Sequence, residues 1–140
     1  MKKLSYLILL GIFAGLLSWV LNVALTSGAM LRQLSLTALI SLSVFEELIK
    51  YFTAWAGIKI SQRNISSLLI YTIFGVFELI VAVVIGYEFL LRLIPLSMHI
   101  LTGLILFWAL NRRMPGLGLL YNLILHTSWN LLAFYMAFII

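Results

Sequence analysis

The chain has 140 residues, of which 64% are hydrophobic and 9% charged, with a mean hydropathy of +1.19 and a formal net charge of +5. A soluble domain is usually about half apolar and about a quarter charged, so these side chains cannot clothe a water-soluble globule and lipid must be the main solvent. The absence of cysteine excludes disulfides, thiolate metal sites and a cysteine nucleophile. No run of Lys and Arg is long enough to mark a nucleic-acid partner, which leaves the basic residues to orient the chain in a bilayer.

A helix needs roughly 20 residues to cross the hydrocarbon core. The length therefore accommodates about five crossings and no separate soluble domain. The expected fold is an all-α, polytopic transmembrane helix bundle, with residues 1–140 forming a single integral membrane domain. Helices satisfy their own backbone groups in lipid, whereas a transmembrane β-barrel needs alternating segments of about ten residues and these runs are uniformly apolar.

The first span, residues 4–26, follows Lys2 and Lys3. It exceeds the roughly 7–15 apolar residues of a signal peptide and lacks a small-x-small cleavage site, so a retained span is expected. A turn containing Gly28 and Arg32 leads to the second span, residues 34–58, which closes on Lys59-Ile60-Ser61-Gln62-Arg63-Asn64. The third span covers residues 65–91 and ends at a turn marked by Arg92 and Pro95; the fourth is short, residues 96–110. Asn111 to Gly116 is a turn, because Pro115 and Gly116 break helices, and the fifth span covers 117–140. Five crossings place Lys2, Lys3, Lys59, Arg63, Arg112 and Arg113 on one side, with Arg32 and Arg92 on the other. Loop cations mark the cytoplasmic side, so a cytoplasmic N-terminus and a multi-pass protein of the plasma membrane are expected. Trp55, Trp108 and Trp129 read as packing or interfacial belts.

The ionisable residues within these spans need another explanation. All four acidic residues are glutamates: Glu46, Glu47, Glu78 and Glu88. Glu88 and Arg92 have i,i+4 spacing at the outer end of the third span, which predicts an interfacial ion pair. A charge near the bilayer centre costs about 2.5–3.5 kcal/mol even on lenient insertion scales, so the deeper residues must face the bundle interior and find partners. With a rise of 1.5 Å per residue, Glu46, Glu78 and His126 lie about twelve residues, roughly 18 Å, from the outer ends of their spans. His99 is shallower. Glu46 and Glu47 are four and three residues from Lys50 on one helix face. Two carboxylates beside one ammonium leave a negative charge over or a proton shared, which provides a candidate general base. His126 and Asn130 share a face of the fifth span, and both can donate to an oxyanion.

The order of these residues resembles a known pattern. Glu46-Glu47-Leu48-Ile49-Lys50 reads EExxK, Phe74 to Glu78 reads FxxxE, His99 has Gly103 four residues on, and His126 to Asn130 reads HxxxN. This series, over roughly residues 41–131, resembles the PrsW family and the related CAAX-protease and bacteriocin-processing family of intramembrane glutamic proteases. Tyr51 stands where the CAAX-type branch usually has the Arg of EExxxR, and Glu78 where it usually has His; both favour the PrsW-like branch. The resemblance implies hydrolysis of a peptide bond in a membrane-protein or peptide substrate, with no cofactor. It implies that Glu46 is the base and Glu47 its partner, with Lys50 in support. Glu78 and His99 would hold the water, and His126 and Asn130 would form the oxyanion hole.

Two other chemistries fit the same residues. Glu46, Glu78, His99 and His126 could ligate zinc from separate helices, since three protein ligands and a water make a catalytic site, although no HExxH is present. Buried Glu, His and Lys also mark ion pathways, so a transporter or a non-catalytic membrane partner is possible. The lack of an inverted repeat argues against a self-contained transporter, but an oligomer could supply one.

Overall fold

The computed structural model describes residues 2–26 and 36–139, and every element in them is helical. The helices are α1 (Lys2–Thr26), α2 (Leu36–Ser61), α3 (Ile65–Val84), α4 (Phe89–Asn111) and α5 (Pro115–Ile139). Three stretches are long and apolar enough to cross a membrane: Lys2–Val23, Ile65–Val84 and Arg92–Asn111. α2 and α5 are comparable in length, 26 and 25 residues, but carry Glu46, Glu47 and Lys50, or Asn122, His126 and Asn130. The turn expected around Gly28 and Arg32 lies outside the described residues.

The boundary between the third and fourth spans differs from the sequence expectation. α3 stops at Val84, and α4 starts at Phe89, seven residues before the predicted span. Residues 79–91 are apolar almost throughout, so hydropathy alone runs straight through the turn. The chain is turned by Gly86, at φ +97°. Its N–H donates to the Val83 carbonyl (3.1 Å) and the Tyr87 N–H to that of Ala82 (3.0 Å), a Schellman closure that favours glycine in the left-handed region. Pro95 lies inside α4. A proline there removes one backbone bond, and in a packed membrane helix neighbouring groups tolerate this. The expected Glu88–Arg92 ion pair does not form among the described residues; the Arg92 guanidinium instead lies 3.9 Å from the Tyr87 ring centroid.

Helices α2, α3, α4 and α5 close a ring, each packing on its sequence neighbour and α5 returning to α2. α1 leans on the seam of α2 and α3 from outside. Its buried stripe is Leu7, Gly11, Ala14, Gly15 and Ser18, the small-residue spacing that lets membrane helices approach closely. At one end of the bundle Asn64 Nδ2 donates to Asn111 Oδ1 (3.0 Å), so the α2–α3 and α4–α5 turns meet. Leu7 packs on Gly57 near the same end. Lys2, Lys3, Lys59, Arg63, Arg112 and Arg113 therefore gather there, opposite the turn at Gly86.

A Cβ added at Gly11 would lie 2.7 Å from Ile73 Cβ. Gly11→Val must push α1 off α3, at an overpacking cost of about 1–3 kcal/mol. Thermal unfolding in detergent should show a lower midpoint, with the helical circular-dichroism signal of the remaining bundle intact.

Candidate active site

α2 is an amphipathic helix turned inside out. Ser43, Glu46, Glu47, Lys50, Thr53 and Ala54 are buried along one stripe, while Phe45, Phe52 and Trp55 are exposed on the other side. An uncompensated charge inside the bundle costs several kcal/mol, so the buried stripe must be satisfied by the other helices. The ammonium of Lys50, fully buried, is the hub. It pairs with Glu46 Oε1 (3.1 Å) and with Glu47 Oε1 on its own helix. From across the ring it contacts His99 Nδ1 at 3.2 Å and His126 Nδ1 at 3.5 Å. It also lies 4.9 Å from the Phe74 ring centroid and 5.3 Å from that of Tyr71, where the ring faces favour a cation.

The donor chain settles one tautomer. Lys50 has only protons to give, so His99 Nδ1 accepts and its Nε2–H donates to Glu78 Oε2 at 2.7 Å. α4 can bring the imidazole this close because α3 has a glycine opposite it: a Cβ at Gly75 would lie 3.0 Å from His99 Cβ. His126 Nδ1 lies 2.7 Å from Glu47 Oε1 and donates to it. Its Nε2 then faces Glu46 Oε1 at 3.4 Å.

Glu47 is held on every side. Besides Lys50 and His126, it accepts from Tyr71 Oη at 3.3 Å. Asn122 Nδ2 donates to Tyr71 Oη (3.4 Å) and to the Thr102 carbonyl (3.0 Å). Tyr71, Asn122, Thr102 and Ser43 escaped the sequence reading, yet helical spacing pointed to each. Tyr71 is seven residues before Glu78, Asn122 four before His126, Thr102 three after His99 and Ser43 three before Glu46.

The expected near-equality of depth does not survive the new α3–α4 boundary. Glu78 is six residues from the end of α3 at Val84, about 9 Å. His99 is ten residues beyond Phe89, about 15 Å, so it is the deeper of the two. The groups still converge, because the helix ends are staggered. Glu46, Glu47, Lys50, Glu78, His99 and His126 come together from all four ring helices. Asn130 does not join that cluster; its amide donates to Ser43 Oγ at 2.9 Å.

A cavity of about 530 Å³ adjoins the cluster, lined by Glu46, Glu47, Glu78, His99, His126 and Asn130 among others. Trp129, expected as packing, also lines it. Glu46 meets Lys50 and His126 through Oε1 and lines the cavity. Two sets of groups have ligand atoms within 4.8 Å of one another, Glu46, Glu47 and His126, and Glu46, Glu78 and His99. Both sets are spatially competent for a cation, but the Lys50 ammonium already contacts Glu46, Glu47 and both imidazoles, supplying positive charge in their midst. No family model matches the sequence, and no curated protein or solved structure matches it.

Lys50→Met should leave two carboxylates buried without their cation, destabilising the fold by about 3–5 kcal/mol. Adding Glu47→Gln should recover part of that loss. A denaturation series in detergent measures both, and an unchanged midpoint in the single variant would contradict a central role for the ammonium.

Proposed function

We propose that this chain is an intramembrane endopeptidase that hydrolyses a peptide bond of a membrane-associated protein or peptide with a glutamate-activated water. The observation that supports it is the convergence of three carboxylates, an ammonium and two imidazoles from four helices on one cavity. Glu46 is the base: it lines the cavity, while Lys50 holds its Oε1. It takes a proton from water as the water oxygen attacks the carbonyl carbon. His126 Nε2, 3.4 Å away, can share that proton and return it to the departing amine.

Glu47 is anchored by Lys50, His126 and Tyr71, so it sets the position of the other groups. Glu78, anchored by the His99 Nε2–H, holds the attacking water. With both His126 nitrogens committed to Glu47 and Glu46, the oxyanion is met on α5 by Asn130, whose amide has a second N–H beyond the one given to Ser43. Because the Lys50 ammonium lies among the candidate ligands, the favoured mechanism needs no metal.

In this proposal all five helices cross the plasma membrane. The six clustered cations lie in the cytoplasm with the N-terminus, in keeping with the charge rule.

Glu46→Gln should lower cleavage of a reconstituted substrate at least about 10²-fold, the scale of lost general-base catalysis, while leaving thermal unfolding unchanged. Wild-type activity in that variant would overturn the assignment. Activity should persist after chelation; loss on chelation with recovery on zinc would favour a metalloprotease through Glu46, Glu78, His99 and His126. The chain has no cysteine, so single cysteines can report topology. Cysteines replacing Gln62 and Arg113 should be labelled from one face of sealed vesicles, and one replacing Gly86 from the other.

A further inference from the structure

A second cavity, of about 250 Å³, runs along α3 between α1 and α4. Trp19, Phe77, Val81 and Leu96 give it apolar walls, and it shares Arg92 and Glu78 with the first cavity. It follows α3 from Gly75 to Ile85, ten residues or about 15 Å. That is about half of the roughly 30 Å hydrocarbon core, the depth of one leaflet. Its outer end is the turn at Gly86, where Tyr87 has the amphipathic ring that favours a membrane interface. There the Arg92 guanidinium stacks on Tyr87. Arg92 forms no ion pair among the described residues, although Glu88 is only one turn away.

The groove thus has largely apolar walls over the depth of one leaflet, interrupted by Glu78, and at its interfacial end a planar cation that forms no ion pair among the described residues. We infer that it binds one phospholipid of that leaflet, with the phosphate on Arg92 and an acyl chain along α3 toward Gly75. A guanidinium grips a phosphate through paired charge-assisted hydrogen bonds, while the chain supplies the apolar contact. The site is independent of the proposed peptidase activity.

The test uses native mass spectrometry of the full chain in detergent, with phosphatidylglycerol and a diacylglycerol of the same chains as probes. The wild type should retain one phosphatidylglycerol, favoured over the diacylglycerol at least about tenfold, the scale of one charge-assisted hydrogen bond. Arg92→Gln should bring the two lipids to within about twofold, and Arg92→Lys should fall between, because it keeps the charge but loses the fork. Val81→Trp, which fills the channel, should reduce phosphatidylglycerol retention with Arg92 in place. Glycerol phosphate at millimolar concentration should not displace the lipid. Equal retention of both probes by the wild type, an unchanged preference in Arg92→Gln, or displacement by glycerol phosphate would each overturn the proposal.

Discussion

The structure depends on one buried ammonium. Lys50 is fully enclosed, and its two nearest carboxylates, Glu46 and Glu47, belong to its own helix. The local match is incomplete, because two carboxylates exceed one ammonium. α2 cannot satisfy its own polar stripe. The missing donors come from other helices: Tyr71 from α3, His126 from α5, and His99 from α4, which contacts the ammonium directly. Closure of α2–α5 into a ring follows from that demand as much as from apolar packing.

Close approach is the second requirement. Between helices in lipid there is little hydrophobic drive, so small residues and polar contacts decide which faces meet. Gly75 illustrates both. It provides no chemistry, but its missing side chain is the space into which His99 fits. Outside the ring, Gly11 seats α1 against Ile73. α1 adds no ionisable group to the cluster; it buttresses the two helices that carry Lys50 and Glu78.

The two cavities share a wall at Glu78 and Arg92. Glu78 orients His99 on the polar side, while Arg92 caps the apolar groove on the other. A lipid in that groove would therefore pack against the helices that position the His99 imidazole. In the proposed peptidase, the bilayer would then form part of the site's surroundings as well as its solvent.

Composition showed that the chain suits lipid, because so few polar residues can cover no water-facing surface, and the unbroken apolar runs showed that it is helical. The glutamates, histidines and lysine were legible as a site because each is costly in lipid and must face inward. Helical spacing could also have reached Tyr71 and Asn122, which lie one or two turns from residues already singled out. The turn at Gly86 was hidden by an unbroken apolar run, and Pro95 drew the boundary too late, since a proline is tolerated within a packed membrane helix. That displacement put His99 too shallow and Glu78 too deep. Only the tertiary structure decided who pairs with whom: that Lys50 reaches two imidazoles on different helices, that Tyr71 holds Glu47, and that Arg92 stacks on Tyr87 instead of pairing with Glu88. Spacing along one helix places side chains on a face, but the stagger and rotation between helices, set by close packing at residues such as Gly75, determine which faces meet.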